Sequence, residues 1–142
     1  MLREMGDVRQ DRAGVRRRWF HDDYFDLFLW EDADGTVTTF QLCYDIGNRE
    51  RALSWSAAHG FFHDGVDVGD VRAPFAMSPI FVADGVFPGK SVRERFAREA
   101  DELAPATRSF ILAKIDEFRR DTIARRRRRF RREEWQQRPQ GR

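Results

Sequence analysis

The sequence predicts an α+β domain in which an antiparallel β-meander of three to four strands carries two C-terminal helices packed on one face. Three segments with alternating apolar and polar residues follow one another in the first half of the chain, separated by short turn sequences. Two segments with apolar residues at helical spacing follow in the second half. Strands joined by short turns pair antiparallel, and amphipathic helices bury their apolar stripes against an apolar sheet face.

The length of the chain fits one folded domain with a charged segment at each end. The 142 residues have 41% hydrophobic content, which suits a single core. We assign 19–118 to the α+β domain, 1–18 to a basic segment that is either helical or disordered, and 119–142 to an arginine-rich helical extension or tail. No apolar run approaches the ~20 residues of a membrane span, and 1–18 carries charge where a signal peptide is apolar. With Cys43 as the only cysteine, we expect a cytoplasmic protein without membrane contact.

Three strands are predicted from alternation and turn sequences. They cover 24–31, 36–45 and 50–56. The residues between them contain Gly35 and Gly47, and four-residue loops place Glu31 opposite Thr36 and Asp45 opposite Glu50. Period-two alternation then collects an apolar face of Phe25, Leu27, Leu29, Phe40, Leu42, Leu53 and Trp55.

The other face of the meander is mixed in character and is the predicted binding surface. In this register Asp26, Gln41 and Ser54 form one row between aromatic side chains. A solvated sheet face commonly carries polar residues, but these rings make a larger apolar patch than such a face usually has. We expect a ligand, a protein partner, a second copy of the chain or the N-terminal segment with Trp19 and Phe20 to cover it. The predicted contact residues are Tyr24, Asp26, Phe28, Trp30, Gln41 and Ser54.

Residues 57–70 have the glycines and aspartates of a loop that can hold a short strand, and 79–83 read as a short buried strand. His59, His63 and Asp64 supply donors for a metal site, and hence for a metal-dependent enzyme. On a strand the two histidines would lie about 13 Å apart, so a metal requires a folded loop, and ordinary polar loop residues are the favoured interpretation. No catalytic or phosphate-loop motif is complete, so we favour a non-enzymatic protein without a cofactor.

Two helices close the domain. Ser91 and Glu94 have the spacing of a capping box, which predicts a helix over 91–103. Pro105 suits the first turn of the next helix. The two apolar stripes are Val92, Phe96, Ala100 and Leu103, then Ile111, Ile115 and Phe118, continuing more weakly to Ile123.

Charge is segregated along the chain, at +3 over 1–18, −9 over 19–118 and +8 over 119–142. Clustered arginine is typical of phosphate binding, although charge runs are more often solvated. The leading function hypothesis is a small intracellular binding or interaction module that uses the mixed face, to hold a protein partner or to form a homo-oligomer. The alternative is nucleic-acid binding through the tail, with Phe130 or Trp135 stacking on bases and phosphate contacts from Arg125, Arg126, Arg127, Arg128 and Arg129.

Overall fold

The protein consists of a six-stranded antiparallel sheet with two helices on one face, which confirms the predicted α+β class. The computed structural model describes residues 1–65 and 87–137. Strand order in the sheet follows the chain. The strands are β1 (Arg3–Glu4), β2 (Arg16–His21), β3 (Phe25–Glu31), β4 (Val37–Tyr44), β5 (Arg51–Ser56) and β6 (Gly60–Gly65), and the helices are α1 (Gly89–Glu99) and α2 (Pro105–Gln137).

The sheet is larger than the predicted three or four strands. β3, β4 and β5 match the three predicted strands within a residue at each end, whereas β1 and β2 draw on the segment 1–18 and β6 on the predicted loop. β2 was not predicted because three of its six residues are arginines, and a strand with this much charge is stable only when residues distant in the sequence pair with the charges. Arg18 has them, at 2.6 Å from the Glu4 carboxylate and 3.0 Å from that of Glu31. The strand predicted at 79–83 lies outside the described residues.

The predicted register is confirmed between β4 and β5 but is wrong by two residues between β3 and β4. Gln41 lies opposite Ser54 as predicted, yet its neighbour on β3 is Phe28, and Asp26 lies opposite Cys43. The first turn has five residues where four were expected, and a β-bulge leaves Thr38 without a partner on β3. Each adds one residue to the offset. Because side chains alternate with period two, a shift of two keeps every residue on its predicted face.

The apolar face of the sheet packs against the helices to form the main core. All of its predicted members are fully buried except the half-buried Trp55, which lies beside the ring of Phe110. Phe96 of α1 meets Phe25 edge to face at 5.8 Å between ring centroids. Burying each such side chain contributes about 1.5–3 kcal/mol, which makes this interface the main stabilising contribution.

The helices begin and end differently from the prediction. α1 starts at Gly89 with Pro88 as its N-cap, and the Ser91 hydroxyl donates to the Pro88 carbonyl, so the predicted capping box is wrong. The apolar stripe of α1 is buried as predicted, and α2 begins at Pro105. Ile123 is 49% exposed, which marks where the stripe of α2 stops contributing to the core. Over the described residues, neither helix combines the length and apolar character that crossing a membrane requires.

Candidate functional site

The sheet face that points away from the helices, which we call the rear face, consists of three rows of side chains. Neighbours within a row come from adjacent strands, with Cβ atoms about 4.5–5.5 Å apart. The first row is His21, Asp26, Cys43 and Ala52, the second is Trp19, Phe28, Gln41, Ser54 and Phe62, and the third is Arg17, Trp30, Thr39 and Ser56. The predicted row of Asp26, Gln41 and Ser54 is thus corrected, because Phe28 takes the position expected for Asp26.

One end of the rear face is covered by the chain itself. Trp19 stacks on Phe28 with ring centroids 5.8 Å apart and planes 14° from parallel, and Val15 packs against the same cluster. The Arg17 guanidinium lies over Phe28 and Trp30, at 5.1 and 5.6 Å from the ring centroids. The N-terminal segment, one of the four predicted covers, therefore buries the aromatic residues at this end.

Asp26 is a buried carboxylate that ties β2 to β3. One of its oxygens accepts hydrogen bonds from Trp19 Nε1 at 2.8 Å and from His21 Nδ1 at 2.7 Å. Charge-assisted bonds of this kind are stronger than neutral ones, and they satisfy the indole donor inside the sheet. Asp26 is therefore a structural anchor in the first row of the rear face, and removing its carboxylate would disturb the position of Trp19 over Phe28.

Gln41 and Ser54 form a polar floor in the centre of the second row. They lie directly opposite each other on β4 and β5, and each residue is only 4% exposed. Gln41 Oε1 and Ser54 Oγ are buried, and neither has a hydrogen-bond partner among the residues that the structure describes. Leaving a buried polar group unsatisfied costs about 1–3 kcal/mol. Two unpartnered polar atoms side by side in the row between Phe28 and Phe62 are unusual, because buried polar groups are nearly always hydrogen-bonded.

Tyr24 does not lie with the other predicted contact residues. The Asp22 carboxylate accepts hydrogen bonds from the backbone N–H groups of Tyr24 and Phe25, which turns the chain just before β3. The ring of Tyr24 then packs beside the main core, with the Arg95 guanidinium of α1 at 3.9 Å from its centroid. Burial raises the pKa of the Tyr24 phenol, and the nearby carboxylate of Asp45 adds to the increase.

His21, which the sequence analysis did not select, joins Asp26 to a surface cavity. Its side chain is 43% exposed and lines a cavity of about 410 Å³ together with Arg3, Tyr24 and Arg95. Treating 16–21 as a strand would have found both His21 and Trp19, since the alternation of Arg17, Trp19 and His21 places all three on one face.

The two histidines predicted as metal ligands have different environments, since His63 is buried and His59 is exposed. His63 is buried, and its Nε2 is 2.6 Å from the hydroxyl of Tyr44, with the rings of Phe87 and Phe118 beside it. Burial raises the pKa of Tyr44 far above its ordinary value, so the phenol keeps its proton, and the tautomer of His63 determines which of the two groups donates. His59 is exposed in the β5–β6 turn, and Asp64 lies opposite Ala52 in the register. In the part of the chain that is described, no three His, Cys, Asp or Glu side chains come together as a metal site.

A second cavity, of about 560 Å³, lies where α1 begins against α2. Lys90, Ser91 and Glu94 of α1 face Arg119 and Ile123 of α2 across it. This cavity was not predicted, because it depends on how the two helices pack.

Comparisons of the chain with protein-family models, with curated proteins and with solved structures found no match. Function is therefore inferred from the chemistry of the chain's own residues.

Proposed function

We propose that the protein is a binding module that holds a small planar molecule on the rear face, against Gln41 and Ser54 in the row between Phe28 and Phe62. Its place of action is the cytoplasm, where the thiol of Cys43 stays reduced. The observation that carries the proposal is the pair of buried polar atoms, Gln41 Oε1 and Ser54 Oγ, without partners among the described residues.

The hydrogen-bonding capacity of the floor determines what the ligand must offer. An amide oxygen only accepts, whereas a hydroxyl both donates and accepts. A ligand that supplies an N–H or O–H group to Gln41 Oε1 would recover the free energy that burial of this oxygen costs. Hydrogen-bonding groups of this kind fix the orientation of a ligand, while the surrounding apolar surface supplies most of the affinity.

The neighbouring side chains favour a flat, uncharged ligand. Phe28 and Phe62 stand on either side of the floor in the same row, so a ligand above Gln41 and Ser54 lies between apolar side chains. Asp26 in the first row already accepts two hydrogen bonds, and the guanidinium of Arg17 in the third row lies over Phe28 and Trp30. The proposed class is therefore aromatic heterocycles with a ring N–H, of which indole and benzimidazole are the simplest probes.

Ligand-observed NMR with indole and benzimidazole tests the proposal on the full chain. We expect both probes to bind the wild-type protein, and Gln41→Leu with Ser54→Ala to weaken binding at least tenfold. Tyr44→Phe is the matched control, because it removes one buried hydroxyl from the opposite face and leaves the floor intact. Binding that survives the floor substitutions would contradict the proposal.

Analytical ultracentrifugation of the same variants distinguishes a small ligand on the rear face from a second protein chain bound there. A wild-type dimer that dissociates on Gln41→Leu would mean that a second copy of the chain occupies the rear face. That result would overturn the proposal of a small ligand, but the rear face would still be the binding surface.

A further inference from the structure

α2 continues well beyond the core that it covers. The helix has 33 residues, so its axis is about 50 Å long. Phe118 is its last aromatic contact with the described core, with ring centroids 5.3 Å from Phe61 and 5.2 Å from Phe87. The exposed Ile123 follows, and about 14 more helical residues extend roughly 21 Å further.

Arginine positions occur on all sides of the helix axis in residues 119–132 of α2. Residues 119–132 contain nine arginines, no lysine and a single acidic residue, Asp121. Arg125–Arg129 are five consecutive positions and so exceed one helical turn of 3.6 residues. Arg120, Arg125 and Arg127 are exposed, and none of the three forms an ion pair with another described residue. Because 19–118 carries a net −9, a polyanion is attracted to the helix and repelled by the domain.

We propose that residues 119–132 of α2 bind double-stranded DNA by lying in the major groove, where phosphates flank the helix on both sides. The major groove of B-DNA is about 12 Å wide and admits an α-helix. Guanidinium groups pair with phosphate oxygens in a bidentate manner, and cations on opposite sides of one helix match the two phosphate backbones. The proposal concerns affinity for the backbone and requires no base recognition.

Two other polyanionic surfaces fit these residues less well. A helix that lies on a membrane needs an apolar face opposite its cations, but here the arginine positions surround the axis and only Ile123, Ala124 and Phe130 are apolar. Duplex RNA has a deep and narrow major groove that admits side chains poorly. This binding function uses no residue of the rear face, so its failure leaves the ligand proposal unaffected.

Fluorescence anisotropy of the full chain with a short mixed-sequence DNA duplex tests the proposal. If five phosphates are neutralised, the affinity falls about 500-fold between about 50 and about 200 mM salt. Replacing the five residues Arg125–Arg129 by glutamine should abolish most of this binding and flatten the salt dependence. Glutamine preserves helix propensity, and circular dichroism confirms that α2 is retained.

A charge-matched variant controls for net charge. Replacing Arg3, Arg9, Arg16, Arg49 and Arg98 by glutamine removes the same five charges from exposed positions outside α2, and we expect the salt dependence to persist. No binding at about 50 mM salt, or equal loss in both variants, would overturn the proposal. Tighter binding to single-stranded DNA, to duplex RNA or to phosphatidylserine vesicles than to the DNA duplex would overturn it as well.

Discussion

Ser54 and Ser56 of β5 provide a matched pair for testing whether the polar floor is unsatisfied. They lie on the same sheet face two residues apart, and each residue is 4% exposed. Ser56 Oγ accepts a hydrogen bond from the backbone N–H of His59 at 2.9 Å, whereas Ser54 Oγ has no partner among the described residues. The same substitution by alanine should therefore change stability in opposite directions.

The magnitudes follow from the hydrogen-bond inventory. Ser56→Ala loses one hydrogen bond and leaves the His59 N–H without its acceptor, which should lower the free energy of unfolding by about 1 kcal/mol. The Ser54 hydroxyl loses its contact with water on folding and gains no hydrogen bond from the described residues in return. Ser54→Ala removes this unfavourable desolvation, so the free energy of unfolding should rise by about 1 kcal/mol. For a chain of this length, a difference of about 2 kcal/mol separates the two midpoint temperatures by roughly 6 °C.

Urea denaturation and thermal unfolding of both variants, without added ligand, provide the measurement. The wild-type protein should fall between the two variants in both assays. If Ser54→Ala loses as much stability as Ser56→Ala, the Ser54 hydroxyl has a partner in the folded chain, and the inference that the polar floor is unsatisfied is refuted.

Three further substitutions test the fold that supports the floor. Leu42→Ala, at a fully buried position of β4, should lower the free energy of unfolding by roughly 2–5 kcal/mol in urea titrations. A loss below roughly 1 kcal/mol would mean that this face is not the core. Gly35→Ala should cost about 1 kcal/mol in the same titrations, because Gly35 has φ +81° in the β3–β4 turn; an unchanged midpoint would contradict the turn geometry. The Arg18 guanidinium holds the pKa of the Glu4 carboxyl below its ordinary value of 4.5, so this pair stabilises the fold above that pH and the contribution is lost as pH falls through the lowered pKa. Glu4→Gln should therefore flatten the decline in stability in acid, and identical pH profiles for variant and wild type would argue against the pair.

The sequence predicted the faces of the central strands better than their register. Alternation depends only on which residues share a face, and the apolar set from Phe25 to Trp55 is assigned correctly despite the offset between β3 and β4. The bulge at Thr38 has no marker in the sequence, since neither glycine nor proline occurs there. A fixed four-residue loop could not account for it.

Long-range partners explain what the sequence analysis missed in the candidate site. β2 was not predicted because its arginines look solvated, and the carboxylates that receive Arg18 come from β1 and β3. Tyr24 was placed on the wrong side because the turn at Asp22 redirects the chain before β3. Gln41 and Ser54 were predicted as contacts from the alternation of the strands, but that their side-chain oxygens lack partners among the described residues follows only from the packed side chains.

The corrected contacts also change which substitutions are informative. Asp26→Ala and Phe28→Ala, the natural choices from sequence, would remove the acceptor of the Trp19 indole and the ring on which Trp19 stacks. Both substitutions would lower the stability of the fold, so a loss of binding could not be distinguished from unfolding. Substitutions at Gln41 and Ser54 avoid this difficulty because neither polar atom holds another part of the described chain.

The most direct test of the proposed ligand contact at the polar floor is a binding cycle that deletes the hydrogen bond from each side. NMR titration measures the affinities of indole and N-methylindole for the wild-type protein and for Gln41→Leu. We expect indole to bind the wild-type protein about tenfold more tightly than N-methylindole, and the preference to disappear in Gln41→Leu. Equal affinities of the two compounds for the wild-type protein, or a preference that persists in Gln41→Leu, would contradict a ligand hydrogen bond to Gln41.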